Sequence, residues 1–239
     1  MVALTDRQIQ ILKVIIDEYI ETAEPVGSEK LDKKYSLGVS PATIRSEMVR
    51  LTENGFLKQP YTSAGRVPTP MALKFYVQNL MKMKELSVAD EVVVKQKIWD
   101  YRQQMDRLLR ESTRVLADKT KTLAFSTTNT GDLYYAGAAN ILDMPEFFDI
   151  DLTRELLHSL DEFDFWWKML HQDVTGDSLH ILIGEELDPH RLGHCGMVYT
   201  RLQTPRVEIV IGVVGPSRLN FSSVIPIVRY FGTLLTEAV

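Results

Sequence analysis

The sequence is nearly without cysteine, with Cys195 the single one in 239 residues. That excludes a disulfide framework and any zinc cluster built on several thiolates. Long hydrophobic runs are also missing. Stretches such as Ile209–Val214 are far shorter than the roughly 18 apolar residues that mark a membrane span. The opening MVALTDRQ has no charged segment leading into an apolar one, so no secretory signal is expected. The expected setting is cytoplasmic, with no membrane partner. No Gly-x-x-x-x-Gly-Lys-Ser/Thr phosphate loop occurs. An overall basic excess is absent too. Lys and Arg number 27 against 32 Asp and Glu, a formal charge of −5, which taken whole argues against a nucleic-acid partner. The halves disagree, however. Residues 1–130 carry 20 basic and 16 acidic side chains, and residues 131–239 carry 7 and 16. Such asymmetry suits a basic working module beside an acidic one.

What is present is an ordinary globular mix, 45% apolar and 25% charged, with enough chain for one large or two small domains. Thr5 and Gln8 form a capping-box signature ahead of Ile9, Leu12, Ile15, Ile16, Tyr19 and Ile20, which recur at helical spacing. Pro25 and Gly27 end that helix. A short helix is expected over about 28–35 with Ser28 as its cap, and Ser36–Val39 makes a turn. Ser40 then caps a third helix, with Pro41 at its first position and Gly55 at its end. Phe56–Pro60 reads as extended, Tyr61–Arg66 as a turn, and extended chain resumes at Val67. This is the order of a winged helix–turn–helix, expected over residues 1–70.

Within the third helix, Ile44, Met48 and Leu51 form the core stripe, which turns Ala42, Thr43, Arg45, Ser46, Val49 and Arg50 outward. Arg45 suits a bidentate guanine contact, and Thr43 and Ser46 can reach base or phosphate. Residues 30–66 hold seven basic and three acidic side chains, and Lys33, Lys34, Arg50, Lys58 and Arg66 are placed to meet phosphates. The expected partner is double-stranded DNA, with Ser40, Thr43, Arg45, Ser46, Arg50, Tyr61, Thr62, Ser63 and Arg66 as contact residues. Periodicity alone leaves open the plainer reading, a helical module with a solvated basic face.

A further helix is expected from Pro70, with a break at Lys84–Val88. From Val88 to Lys119 there is neither Pro nor Gly. Val94, Ile98, Tyr101, Met105, Leu108, Ser112 and Val115 are spaced alternately four and three apart, a heptad seam of about three repeats. Residues 71–120 are therefore expected to form a long helical connector and dimerisation segment, with Val94, Ile98, Tyr101, Met105, Leu108 and Val115 supplying part of the contact in a homodimer. The alternative is that this helix packs on its own fold. Thr120–Asp132, rich in Thr, Ser, Asn and Gly, reads as a domain boundary. Residues 121–239 read as an α+β domain. A helix is expected over 151–171, strands at Leu179–Ile183, Cys195–Leu202 and Val207–Val214, a hairpin turn at Gln203–Arg206, and a closing helix over 220–238.

Other chemistry finds little support. His190, His194 and Cys195 lie near Asp188, but Pro189 and Gly193 oppose the helix that would align them. Glu185 and Glu186 are adjacent and point apart. No catalytic residue, metal site or cofactor is expected, and the chain is not read as an enzyme. Phe163, Phe165, Trp166 and Trp167 suit a core, or a patch for a chaperone or second subunit.

Several longer motifs go further. Leu4-Thr5-x-Arg7-Gln8, Pro25-Val26-Gly27-Ser28, Ser40-x-Ala42-Thr43-Ile44-Arg45-x-Glu47-Met48, Gly55-Phe56-Leu57 and Pro60-x-Thr62-Ser63-Ala64-Gly65-Arg66-Val67-Pro68-Thr69 lie in the first half. Gly137-x-x-Asn140-Ile141-Leu142-x-x-Pro145-Glu146-Phe147 and Gly215-Pro216-x-Arg218-Leu219-Asn220-Phe221 lie in the second. Together they resemble the bacterial heat-inducible transcription repressor family, HrcA. The resemblance implies a multidomain α+β chain with a winged amino-terminal domain and a GAF-like carboxy-terminal domain. It implies a dimeric repressor of chaperone operons that binds an inverted-repeat operator, is relieved by heat, and folds with the help of a chaperonin. Three features depart from the family: Ser46 stands where Asn is common, Tyr61 where His is common, and the middle of the chain is short. Only Thr120–Asp132 remains of a stretch that elsewhere holds the first part of the GAF-like domain and a dimerisation insert, so this domain is expected in reduced form. The rival reading from another class is a regulator that senses a small molecule through the GAF-like domain.

Overall fold

Residues 4–171, 178–188, 190–204 and 207–239 are described in the computed structural model of the chain. The fold mixes helix and sheet in two units, Met1–Met81 and Lys82–Val239.

In the first unit, helix α1 spans Asp6–Thr22. Thr5 Oγ1 accepts the Gln8 N–H at 3.3 Å while Gln8 Oε1 accepts the Thr5 N–H at 3.0 Å, so the capping box is closed from both sides. Helix α2, Ser28–Lys34, is preceded by Gly27 at its cap position. This corrects the assignment of Ser28, which is the buried first helical residue. Val26 is held extended by two backbone hydrogen bonds to Arg66, each 2.9 Å, and Gly27 keeps that extension for one more residue. Helix α3, Pro41–Glu53, starts where Ser40 Oγ accepts the Thr43 N–H. Gly55, at φ +79°, turns the chain out of it. Strands β1 (Leu57–Lys58) and β2 (Val67–Pro68) pair antiparallel, and Thr69 caps α4, Pro70–Asn79. Ile11, Leu12, Ile15 and Ile16 of α1 meet Leu31, Ile44, Leu51 and Phe56 in the core, all at 2% exposure or less.

Polar ties surround that small core. Glu18, 1% exposed, receives Lys30 Nζ at 2.9 Å, Lys34 Nζ at 2.7 Å and the Tyr35 hydroxyl at 2.9 Å. Burial alone pushes its carboxyl up, but the bonds from Lys34, Lys30 and Tyr35 outweigh burial and hold it down to about 2. The Tyr76 hydroxyl donates to Asp17 at 2.6 Å and ties α4 to α1.

The second unit is a five-stranded antiparallel sheet of order β4-β3-β7-β6-β5. The strands are β3 Leu123–Thr128, β4 Leu133–Ala136, β5 Leu179–Ile183, β6 Cys195–Gln203 and β7 Glu208–Pro216. Helices cover both faces. Leu123, Phe125, Met197, Tyr199, Val210 and Val214 pack with residues of α7 (Ile150–Ser159) and α8 (Phe163–Leu170), where Trp166 is fully buried. The opposite face meets α6 (Met105–Thr120) and α9 (Phe221–Ala238). On that side Thr113 and Ser126 share a 2.7 Å hydrogen bond, and a Cβ at Gly232 would lie 2.9 Å from the Thr200 methyl. Burial on both faces is why β7 reads as an unbroken apolar run. Pro226 removes the N–H that would bond the Ser222 carbonyl inside α9, and this carbonyl instead accepts the Lys84 N–H at 2.9 Å.

Three elements differ from what the sequence led one to expect. The stretch read as a boundary, Thr120–Asp132, contains β3, all six of whose residues are buried. Its hydroxyls are satisfied internally, as Thr127 Oγ1 donates to the Asp132 carbonyl at 2.8 Å. The heptad segment is two helices, α5 (Val88–Trp99) and α6, joined by a turn over 100–104. The Lys119–Asp90 ion pair joins the end of α6 to the start of α5, so the two run antiparallel. Val94, Ile98, Leu108 and Val115 are at most 1% exposed within the chain, while Tyr101 in the turn and Met105 just after it are half-buried. The seam therefore faces its own fold, as its alternative reading had it. Finally, the helix expected over 151–171 is broken at Leu160–Glu162 into α7 and α8, with Trp166 Nε1 donating to the Ser159 carbonyl across the break at 2.7 Å. Pro205 and Arg206 of the expected hairpin turn, and Pro189, lie outside the described residues.

Candidate nucleic-acid interface

Helix α3 separates its two faces as its spacing demands. Ile44, Met48 and Leu51 are buried, and Ala42, Arg45, Ser46, Val49 and Arg50 are exposed. The Ser40 and Thr43 hydroxyls lie 3.0 Å apart at its first turn. Arg45 makes no ion pair with a described residue and stands free on the outward face. Arg50 NH1 bonds Glu47 Oε1 at 3.0 Å, and the other oxygen of this buried carboxylate accepts Gln8 Nε2 at 3.1 Å. Glu47 was not among the expected site residues. It fixes α3 to α1 and sets the direction of Arg50, and its one signal is an acid beside Met48 on the buried stripe.

The wing follows from its turn chemistry. Ala64 N–H bonds the Tyr61 carbonyl at 3.0 Å, Ser63 takes φ +69°, and Gln59 Nε2 donates to the Ala64 carbonyl at 3.1 Å. Tyr61, Thr62 and Ser63 are exposed at its tip. A Cβ at Gly65 would lie 2.5 Å from the Val26 backbone, so only glycine lets the wing close on the α1–α2 connection. Arg66, unlike Arg45, is folded back: Nε donates to Thr52 Oγ1 at 3.2 Å. Between α3 and the wing lies a cleft of about 380 Å³, its polar lining including Arg45, Gln59, Ser63 and Arg66. The structure thus brings Arg45, Ser63 and Arg66 to one cleft, with Ser40, Thr43, Ser46 and Arg50 along the adjoining helix. Lys34, expected to meet phosphate, is engaged by Glu18 and Glu21 instead.

In the second unit the two carboxy-terminal motifs meet. Arg218 grips Glu146 through Nε at 2.5 Å and NH2 at 3.0 Å. Asn140 Nδ2 donates to the Thr122 carbonyl at 3.0 Å, and a Cβ at Gly137 would lie 2.4 Å from that same oxygen. The motifs are thus packing devices. Cys195 is buried, and burial pushes its thiol up to about 12, too high for a nucleophile near neutral pH. Trp166 sits in the core against Phe125, ring centres 4.8 Å apart.

The HrcA protein C-terminal domain family matches residues 70–225, well over half of the chain. The chain belongs to the HrcA family. It is 25% identical to the heat-inducible transcription repressor HrcA of Symbiobacterium thermophilum, an alignment that covers 98% of each chain. That alignment runs over 335 positions, 96 more than this chain has residues, so the relative carries stretches that this HrcA member lacks. The HrcA repressor of Clostridium perfringens strain 13 is 43% identical over 119 residues, 49% of this chain and 35% of that one. A crystal structure titled as a hypothetical protein shares the fold, with a TM-score of 0.74, 17% identity and coverage of 99% of this chain and 98% of that one. HrcA proteins are transcription repressors, not enzymes. No helix among the described residues is long and apolar enough to cross a membrane.

Proposed function

We propose that this HrcA member is a heat-inducible repressor that binds double-stranded DNA through the first unit, acting as a winged helix–turn–helix. The observation that carries the reading is the free outward face of α3, with exposed Arg45, Ser46 and Arg50, beside an exposed wing tip at Tyr61–Ser63. A helix of this kind presents side chains from its first turns to base edges in the major groove. Arg45 then reads a base, and Ser40, Thr43, Ser46, Arg50 and the wing tip hold phosphates or groove walls. The protein works in the cytoplasm as a homodimer on an inverted-repeat operator before a chaperone operon, because a two-fold protein matches a two-fold site. The second unit serves as a reduced GAF-like domain with a structural role. Heat releases the operator, and a chaperonin assists folding into the binding form. Buried Val94, Ile98, Leu108 and Val115 do not form the dimer contact in this reading.

Fluorescence anisotropy on a duplex carrying the inverted repeat, against a scrambled duplex, tests it. Wild type should prefer the repeat. Arg45→Ala should lose about 1–3 kcal/mol of that preference while keeping the binding shared by both duplexes. No preference at any salt concentration, with chaperonin present, overturns the reading.

A further inference from the structure

The structure assigns Arg66 to a latch that positions the wing, not to a phosphate contact; this rests on the DNA-binding reading and refines it. Arg66 is a cation in a wing beside a candidate DNA face, where a phosphate contact is the natural expectation. Its geometry points elsewhere. The backbone of Arg66 pairs in both directions with Val26, each bond 2.9 Å, and the neighbouring Gly65 is pressed against Val26 so closely that a Cβ would not fit. The root of the wing is thus pinned to the α1–α2 connection. From that root the Arg66 side chain runs to α3. Its Nε donates to Thr52 Oγ1 at 3.2 Å, while its NH1 lies 3.4 Å from the carbonyls of Ala64 and Gly65. The Thr52 hydroxyl is free to accept because its own hydrogen is donated to the Met48 carbonyl at 2.8 Å. A continuous chain of bonds therefore runs from the wing through Arg66 and Thr52 to the backbone of α3. Arg66 is only partly exposed, whereas Arg45 on the same cleft is exposed.

The chemistry of the guanidinium suits that place. Its planar fork offers Nε to α3 and NH1 to the wing carbonyls from two separate nitrogens in one fixed geometry, whereas a lysine has to reach both sides from a single nitrogen on a flexible stem. The latch sets the separation between α3 and the tip residues Tyr61, Thr62 and Ser63, which have to engage one duplex together. Arg66 is accordingly a positioning residue for the wing.

Two readouts on the full-length chain separate latch from contact. The first needs no DNA: hydrogen exchange at the Val26 and Arg66 amides, whose bonds close the wing root. Thr52→Val removes the acceptor while keeping the shape, and should speed exchange at both amides about tenfold, leaving the α1 amides unchanged. Arg66→Ala should do the same, and Arg66→Lys should not restore protection. The second readout is the salt dependence of anisotropy on the inverted-repeat duplex. Each phosphate contact adds about 0.9 to the slope of log affinity against log salt. The latch predicts that Thr52→Val and Arg66→Ala both weaken binding about tenfold with the wild-type slope, and that the double variant is no weaker than Arg66→Ala alone. Unchanged exchange in Thr52→Val overturns the latch, as does a slope that drops by about one in Arg66→Ala while Thr52→Val binds normally. If wild type does not prefer the repeat, the DNA reading fails by itself, and the exchange experiment still decides the latch.

Discussion

The two units solve the problem of stability differently. The first has 81 residues, two two-residue strands and a core drawn from short helices, and it supplements that core with polar cross-links between elements. Glu18 gathers Lys30, Lys34 and Tyr35, Glu47 joins Gln8 to Arg50, and Asp17 holds Tyr76. The second has links of the same kind, among them Lys119–Asp90, Arg191–Glu162 and bidentate Arg218–Glu146, but adds to them a sheet buried on both faces, so apolar area carries more of its stability. The difference carries a lesson about charge. A basic residue count says little about DNA until the cations already engaged are set aside. Lys34 is engaged by acids, Arg50 is half engaged and Arg45 is free.

The largest effect is expected in the second unit. Trp166→Ala removes a fully buried indole, its contact with Phe125 and its bond to the Ser159 carbonyl. It should destabilise that unit by about 3–5 kcal/mol in denaturant unfolding, while the exchange protection of α1 and α3 stays as in wild type. Spreading of the loss into the first unit would show that the two are not separate cores.

Next comes the acid response of the first unit. The Glu18 carboxyl titrates at about 2 in the fold against an ordinary value of 4.5. Its contribution is therefore fully present above pH 4.5 and is lost as pH falls toward 2. Both lysines are about 40% exposed, so water screens the cluster and the contribution is about 1–2 kcal/mol. Glu18→Gln should cost that amount at pH 7, and the two proteins should converge as pH approaches 2. Equal stability at pH 7 would remove the ion cluster from the comparison.

The smallest effect has the opposite sign. Ser112 is fully buried in α6, and its hydroxyl has no hydrogen-bond partner among the described residues. Ser112→Ala should stabilise the second unit by about 1 kcal/mol, read as a raised unfolding midpoint with an unchanged denaturant slope. A destabilised variant would mean that the hydroxyl is satisfied.

How much of this was legible in the sequence depends on how far apart the partners lie. Thr5 with Gln8, Ser40 with Pro41, Gly55, and the inward stripe of Ile44, Met48 and Leu51 are signals within one or two turns of helix, and each appears in the structure as read. The turn over 100–104 carries neither Pro nor Gly, so nothing local announced it, and the heptad spacing of Val94–Val115 arose from two helices that each bury a stripe. β3 was hidden because Thr and Ser dilute its apolar pattern, although Thr is β-branched and suits a strand. In the candidate interface, the outward set on α3 followed from periodicity. The roles of Glu47, Lys34 and Arg66 did not, because Gln8, Glu18 and Thr52 reach them across the fold.

In the proposed function, the free face of α3, led by Arg45, recognises an inverted-repeat operator. The most direct test is the affinity of wild type and Arg45→Ala for repeat and scrambled duplexes across a salt series. Wild type should strongly prefer the repeat, and this preference should fall by about 1–3 kcal/mol in Arg45→Ala while binding to the scrambled duplex changes little. Equal affinity of wild type for both duplexes, or a variant that keeps the full preference, would contradict the proposed function.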